Sequence, residues 1–404
     1  MEKKRHNICM LVHTQQVKAR TRWFCRRHIA PSRYPGNGLL TSELVCNTSY
    51  CLMSMPISSH AYSTIFPRVA LSRLIAPSIR STSPCRLASA SLGKQKIMRH
   101  RIDELDFLKG IFILLMMAFH LVYVSDMYPY AKQVVYTFHM PCFLIMSGYL
   151  MNINKPWKDF LRTMLGYAIP YVVMESGYIV MAAALPIREH LDGLTLRVFI
   201  EKLTVNPLGP YWYLQTLLIG GITYMAVFRL VPMKANSRII LLGLIFHVVS
   251  NVFGIMSFAC SLYFLAGVAL RQSGLSFTAV FQRSPIAIVA FALLAMHPQN
   301  LLMEQSGGVL MVYLVVVGCL STYSHIGEKT QQLLRFLGRN TMPLFLFSPI
   351  FTFLCKPLVA IFLFDTTGLV YLLVSLTICV AGSLSVEWAM HRMGLAQYFY
   401  FKPL

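Results

Sequence analysis

Three ionisable residues, Asp106, Lys109 and His120, lie within the first long apolar run of the chain. Such groups are costly inside a membrane and usually face a cavity or a partner. Lys109 precedes His120 by 11 residues, which places both on one face of a helix, about 16 Å apart along its axis. A histidine is the side chain best suited to take up or release a proton near neutral pH.

Taken singly, Lys109 and His120 each have a simpler explanation than a functional site. A lysine near a helix end often extends to the membrane surface, and a membrane histidine often only bonds a neighbouring helix. The shared helix face of Lys109 and His120 favours a site instead. Asp106 lies three residues before Lys109, so we expect these two side chains to pair.

The second apolar run carries His139 near the end that a short connection joins to the first run. His139 and His120 are therefore expected at similar depth. Ser147 and Gly148 follow in the same run. Ser147 is a candidate substrate-binding or structural residue, and the Ser147–Gly148 pair would also allow close approach of a neighbouring helix.

Three further residues are candidates for substrate binding or for a structural role. Glu175 lies in the middle of the third apolar run, where a carboxyl group must be protonated or matched to a cation. The sequence does not identify its partner. Trp212 and Tyr213 begin the fourth run, where an aromatic belt at the membrane surface is the simpler interpretation.

The composition predicts an all-α integral membrane protein. Of the 404 residues, 56% are hydrophobic and only 13% are charged, which is too little charge for a soluble chain of this length. Apolar runs near 20 residues are long enough to cross the hydrocarbon layer. The sequence predicts a bundle of about ten transmembrane helices, at residues 105–125, 130–151, 161–186, 209–231, 238–254, 256–271, 284–298, 306–325, 341–363 and 367–388. The polar segment 188–206 is expected to lie along the interface as a short helix.

Lysine and arginine residues orient these spans. With the N-terminus inside, every inner loop is basic, and the only outer segment with basic residues, 188–206, balances them with acids. This is the pattern that the positive-inside rule requires for ten spans with both termini cytoplasmic. The expected location is a plasma membrane, the inner membrane in a bacterium. The net charge of +21 thus reflects topology, and we expect no nucleic-acid partner.

The first 97 residues have a different composition. They contain 15 Lys and Arg but only Glu2 and Glu43 as acids, and they are rich in Ser, Thr and Pro. This resembles an organellar transit peptide, but a disordered extension or an over-long gene model is favoured. In the case of an over-long gene model, we expect Met98 to begin the natural protein. Residues 98–404 are expected to form the transmembrane domain.

The ten cysteines show no CxxC or other metal-type spacing, so we expect no metal site. Five of them lie inside apolar runs and are expected to be small buried side chains without disulfides. These are Cys142, Cys260, Cys319, Cys355 and Cys379.

Four segments together resemble the acyltransferase-3 family of membrane O-acyltransferases, in particular its fucose 4-O-acetylase and O-antigen acetylase branch. They read RIDELDFLKGIFILLMMAFH, FHMPCFLIMSGYLM, WYLQTL and LGRNTMPLFLFS. The resemblance covers about residues 101–390, and the family's motif of Arg or Lys, ten residues and His is Lys109 to His120. The resemblance implies that residues 98–404 form an acyltransferase-3-type transmembrane domain. Two features of this sequence differ from many members of the family. Many members carry a pair of arginines where this sequence has Lys158 and Arg162, and many carry a histidine near the position of Phe347 and Ser348.

The resemblance implies an enzyme that moves an acyl group, usually acetyl from acetyl-CoA, onto a hydroxyl of a cell-surface or lipid-linked carbohydrate. His120 would be the general base and Lys109 its basic partner, with His139 as a second base, an oxyanion donor or a substrate ligand. An acyl-His120 intermediate is an open alternative. Basic residues at the cytoplasmic face would bind the CoA phosphates, although topology alone explains any one of them. The candidates are Lys158, Arg162, Arg335 and Arg339.

A proton-coupled transporter is the alternative, because Asp106, His120 and Glu175 would all lie inside the membrane. Transporters often contain internal repeats, and no two-fold similarity relates residues 105–250 to 256–390. A purely structural protein leaves the Lys109–His120 spacing unexplained. The sequence therefore favours the enzyme, with the donor reaching His120 from the cytoplasm and the acceptor approaching from the outer side or from the lipid.

Overall fold

The computed structural model describes residues 101–185 and 189–401. The expected N-terminal extension, residues 1–97, and the expected start at Met98 lie outside the described residues. Within the described ranges the chain is helical and contains no β-strand. The α-helices are α1 (Asp103–His120), α2 (Val122–Met127), α3 (Pro129–Leu150), α4 (Trp157–Ala184), α5 (Leu196–Thr204), α6 (Trp212–Leu230), α7 (Ala235–Asn251), α8 (Phe258–Gln272), α9 (Phe277–Val280), α10 (Ile286–Ala295), α11 (Ser306–Tyr323), α12 (Glu328–Arg339), α13 (Thr341–Leu354), α14 (Leu369–Arg392) and α15 (Ala396–Phe399).

Each expected span coincides with a helix, but the helices differ in length. Among the described residues, α4, α6, α11 and α14 are long and apolar enough to cross a membrane, while α7, α8, α10 and α13 are apolar but shorter. With 10 residues, α10 rises only about 15 Å, roughly half the hydrocarbon thickness. The structure thus supports a helical membrane protein, and the number of ten spans stays a prediction.

Two of the expected spans are interrupted rather than continuous. The expected helix 105–125 breaks at Leu121, whose backbone is extended (φ −69°, ψ 110°), and resumes as the short helix α2. The expected helix 341–363 ends at Leu354 and continues as a short 3₁₀ helix. That helix contains Pro357, which has no N–H to continue an α-helix.

The short helix expected within 188–206 is α5. The hydroxyl of Thr195 caps it by accepting a hydrogen bond of 3.2 Å from the N–H of Val198. None of its residues is buried, and its sequence combines the apolar residues Leu196, Val198, Phe199, Ile200 and Leu203 with the charged residues Arg197, Glu201 and Lys202. Its location at a membrane surface stays a prediction.

Glycine residues bring α1 and α12 into backbone contact. A Cβ atom on Gly338 would lie 1.6 Å from the carbonyl oxygen of Asp106, and one on Gly110 would lie 2.1 Å from that of Leu334. No side chain fits at either position without separating the helices. The helix that carries Lys109 and His120 is therefore fixed directly against α12.

A similar crossing joins α3 and α8. A Cβ atom on Gly148 would lie 2.2 Å from the carbonyl oxygen of Phe264, and one on Gly267 would lie 2.1 Å from that of Ile145. Gly148 thus permits the close helix approach that the sequence suggested for it. This crossing holds the end of α3 that carries Ser147, the residue before Gly148, against α8.

The cysteines of the apolar runs behave as predicted. None of the five in the described part of the chain forms a disulfide. Four are buried and Cys319 is partly buried, so they pack as small apolar side chains.

Replacing Gly338 by Ala is expected to lower the free energy of unfolding by about 1–3 kcal/mol, the usual cost of overpacking. The new methyl group has backbone on its far side and cannot be accommodated by a side-chain rotation. The measurement is thermal unfolding of the purified protein in detergent.

Gly177→Ala is the matched control, because it also lies inside a helix and a Cβ atom there meets nothing within 4 Å. Alanine has the higher helix propensity, so this variant should be neutral or slightly more stable. Equal losses in the two variants would contradict the proposed contact between α1 and α12.

Candidate active site

Two cavities lie on either side of the middle of α1. The first, here called the basic cavity, has a volume of about 790 Å³, and its lining includes Lys109, Lys155, Arg162 and Arg339. The second, here called the histidine cavity, has a volume of about 740 Å³. Its lining includes His120, Tyr136, His139 and Trp212.

Helix α1 extends along both cavities. Lys109, in its second turn, lines the basic cavity, and His120, its last residue, lines the histidine cavity. Both residues belong to one uninterrupted helix, so the rise of about 16 Å expected between them holds. His139 lines the same cavity as His120, which agrees with the similar depth expected for the two histidines.

The carboxylate of Asp106 organises the cations near the basic cavity. It lies 2.7 Å from Nζ of Lys109, 2.5 Å from Nε of Arg101 and 3.5 Å from Nε of Arg339. Its side chain is only 3% exposed and that of Lys109 only 19%, so this ion pair is poorly screened by water, whereas Arg101 and Arg339 are about half exposed. Asp106 therefore holds Lys109 and Arg339 at the wall of the basic cavity.

The four predicted CoA-binding residues lie in different surroundings. Arg162 and Arg339 line the basic cavity, whereas Lys158 and Arg335 do not. Lys158 is exposed, and Arg335 donates a hydrogen bond of 2.7 Å to the carboxylate of Asp103. The sequence analysis did not single out Lys155, which lines the cavity, although it belongs to the same basic loop as Lys158.

Both histidines of the histidine cavity are bonded to the backbone of their own helix. Nδ1 of His120 lies 2.7 Å from the carbonyl oxygen of Met116, and Nδ1 of His139 lies 2.8 Å from that of Val135. A carbonyl oxygen can only accept, so each Nδ1 carries the proton and donates it. In the neutral imidazole, Nε2 then has a free lone pair and is the basic atom.

Tyr136 stands between the two histidines. Its ring centroid lies 6.1 Å from that of His120 and 5.1 Å from that of His139. The sequence analysis missed this residue. Its position three residues before His139 places both on one face of α3, which is the signal that would have identified it.

Trp212 and Tyr213 line different cavities although they are neighbours in the chain. Trp212 lines the histidine cavity, whereas Tyr213 lines the basic cavity together with Ser147. The hydroxyl groups of Tyr213 and Ser147 lie 2.7 Å apart and share a hydrogen bond. These aromatic residues therefore form cavity walls, where the simpler sequence interpretation placed a membrane-surface belt.

Glu175 is fully buried and lines neither cavity. Its Oε1 atom accepts a hydrogen bond of 2.6 Å from the N–H of Leu208, and the N–H of Gly209 donates one of 2.6 Å to Glu189. Two carboxylates thus hold successive amides of the loop before α6. Because this loop leads directly to Trp212, Glu175 supports the wall of the histidine cavity without touching it.

A model of a known family, described as an acyltransferase domain, matches residues 102–388. The chain belongs to the acyltransferase-3 family. The match contains α1, both cavity histidines and most of the helices, so it covers all the candidate catalytic and CoA-binding residues. It supports an enzyme that transfers acyl groups, and the apolar helices place this family member among helical membrane proteins.

The chain is also similar to the nodulation protein NolL of Sinorhizobium fredii. The two are 31% identical over 147 residues, which cover 33% of this chain and 38% of that protein. The similarity thus spans well under half of either protein. No solved structure matches the chain.

Replacing Asp106 by Asn is expected to lower the free energy of unfolding by about 3 kcal/mol, because it leaves Lys109, Arg101 and Arg339 beside an uncharged group. Asp103→Asn is the matched control. Asp103 also pairs with Arg335 and Arg339 but is 39% exposed, so its loss should cost about 1 kcal/mol or less. Thermal unfolding in detergent measures both, and equal effects would contradict the central role of Asp106.

Proposed function

We propose that this chain is a membrane O-acyltransferase that moves an acyl group, with acetyl favoured, from acyl-CoA to a hydroxyl of a cell-surface or lipid-linked carbohydrate. One observation carries the proposal. Helix α1 places Lys109 in a cavity rich in cations and His120 in a second cavity that also contains the imidazole ring of His139. A phosphate-bearing donor and a hydroxyl-bearing acceptor need these two environments.

The basic cavity suits the donor. Lys109, Lys155, Arg162 and Arg339 line it, and lysine and arginine bind phosphate through charge-assisted hydrogen bonds. Its volume of about 790 Å³ falls within the usual range for ligand pockets. The CoA phosphates would bind at this level, and the pantetheine arm would extend along α1 toward His120.

The histidine cavity suits the acceptor. Tyr136 and Trp212 offer ring faces on which a sugar can stack, and the carboxylates of Glu189 and Glu304 line the same cavity. Carboxylates accept hydrogen bonds from sugar hydroxyls. A few polar groups around apolar walls are typical of a site that fixes a ligand's orientation.

The chemistry follows from the free Nε2 atoms. Nε2 of His120 takes the proton of the acceptor hydroxyl, and the oxygen attacks the thioester carbonyl carbon. The carbon–sulfur bond then breaks, the ester remains on the sugar, and the proton passes to the CoA sulfur. His139 serves as a second base, an oxyanion donor or a substrate ligand, and an acyl-His120 intermediate is the nucleophilic variant.

The proposal includes an orientation in the membrane. The Lys109 end of α1 faces the cytoplasm, where acyl-CoA is made, and both termini lie on that side. The basic loops support this arrangement through the positive-inside rule. In a bacterium the protein would then lie in the inner membrane, with the histidine cavity open toward the outer side or the lipid.

His120→Ala should lower acetyl transfer by about 10²–10⁴-fold, the usual contribution of a general base. The assay follows labelled acetyl groups from acetyl-CoA to glycan in membranes that contain the protein. His325→Ala is the matched control: Nδ1 of His325 also lies 2.9 Å from the carbonyl oxygen of the residue four positions earlier, Ser321, but His325 follows the end of α11 and lines neither cavity. Full activity of the His120 variant would refute the proposed base.

Arg162→Ala should raise KM for acetyl-CoA about tenfold, since one charge-assisted phosphate contact contributes about 1.5 kcal/mol. Lys158→Ala is the comparison, because Lys158 lies in the same loop region but outside the cavity lining. Its KM should change less than twofold. A larger effect at Lys158 than at Arg162 would move the donor site away from the basic cavity.

A further inference from the structure

The basic cavity and the histidine cavity meet at two methionines. Met116 of α1 and Met140 of α3 line both cavities, and no other residue in the described part of the chain does so. Lys109 lies on one side of this pair and both histidines lie on the other. Any group that passes from the basic cavity to His120 along α1 must therefore pass Met116 and Met140.

The two methionines are coupled in position to the imidazoles. Met116 lies one helical turn before His120, and its carbonyl oxygen accepts the hydrogen bond from Nδ1 of His120. Met140 follows His139 directly in α3. With the thioester carbonyl of the donor near Nε2 of His120, the adjoining part of the pantetheine arm would thus lie between the side chains of Met116 and Met140.

Methionine has chemical properties that suit this place. Its unbranched side chain has three rotatable bonds and a polarisable sulfur, so it adapts its shape to what it contacts. A narrow alkyl thioester can pack between two such side chains. A sugar ring or a chain of water molecules cannot, because their hydroxyl groups would lose hydrogen bonds between apolar walls.

We propose that Met116 and Met140 form a movable apolar partition that the thioester arm of acyl-CoA displaces to reach His120. The partition keeps acceptor and water out of the basic cavity and limits water at the thioester. This inference rests on the proposed function, because it assumes acyl-CoA as the donor. It adds two residues that select a narrow apolar chain and exclude polar groups from the passage.

The first test measures the barrier without any catalysis. Gln133 lines the histidine cavity and is exposed, so Gln133→Cys in a background without the native cysteines gives a reporter thiol. A small membrane-impermeant cationic thiosulfonate is added to sealed vesicles from the Lys109 side. With both methionines present, the reporter should stay unmodified. In the M116A/M140A variant, its modification should be faster by on the order of tenfold or more, since an open passage admits water and solutes.

The second test measures loss of water exclusion during the reaction. Hydrolysis of acetyl-CoA is measured without acceptor, and acetyl transfer is measured in a separate assay with acceptor. In M116A/M140A the ratio of the hydrolysis rate to the transfer rate should rise by on the order of tenfold. M116L/M140L keeps the apolar volume and should leave both the barrier and the low hydrolysis intact. Met393→Ala, at an exposed position that lines neither cavity, controls for loss of a methionine.

The outcomes separate the two proposals. If the reporter becomes accessible in M116A/M140A but no variant transfers or hydrolyses acetyl groups, the barrier stands and the donor assignment is wrong. If the reporter is modified equally with and without the methionines, the partition is refuted, whatever the transferase activity. If the double variant does not fold, the single variant Met140→Ala is used instead. It should show a smaller increase in the rate of reporter modification, and no increase would refute the partition.

Discussion

The buried carboxylate of Asp106 is the interaction on which the rest of the site depends. One anion that is almost fully shielded from water pairs with cations from two helices and from the segment before α1. A charge in such a place is tolerated only with well-placed partners. It therefore fixes Arg339 of α12 beside Lys109 of α1, and this pair forms one wall of the basic cavity.

The glycines at the helix crossings make that ion pairing possible. Gly338 lies against the backbone of Asp106 itself, so α12 approaches α1 closely enough for its arginines to reach the acidic first turn. The crossing of α3 and α8 at Gly148 and Gly267 likewise brings two backbones into contact, next to Ser147 of the basic cavity. Close backbone contact, rather than long side chains, thus sets the distances between helices here, as is common in membrane bundles.

The sequence predicted the features that depend on spacing within one helix. The common face of Lys109 and His120, the pairing of Asp106 with Lys109 and the similar depth of His120 and His139 all follow from helix geometry and a short connection. Features that depend on contacts between distant segments could not be predicted. The partner of Glu175 is a backbone amide 33 residues away, and residue type alone cannot show that Arg162 lines a cavity while Lys158 does not. The break at Leu121 lacked a proline or glycine that would have indicated it.

The continuity of α1 between Lys109 and His120 has a mechanical consequence. Their separation is set by the hydrogen-bonded backbone of a single helix, which is stiff. Neighbouring helices can shift and so widen or narrow either cavity without changing that length. The helix therefore keeps the two cavities at a fixed separation along its axis, and an insertion of one residue would turn His120 about 100° away from its cavity. The ten residues between Lys109 and His120 thus keep each side chain at the wall of its own cavity.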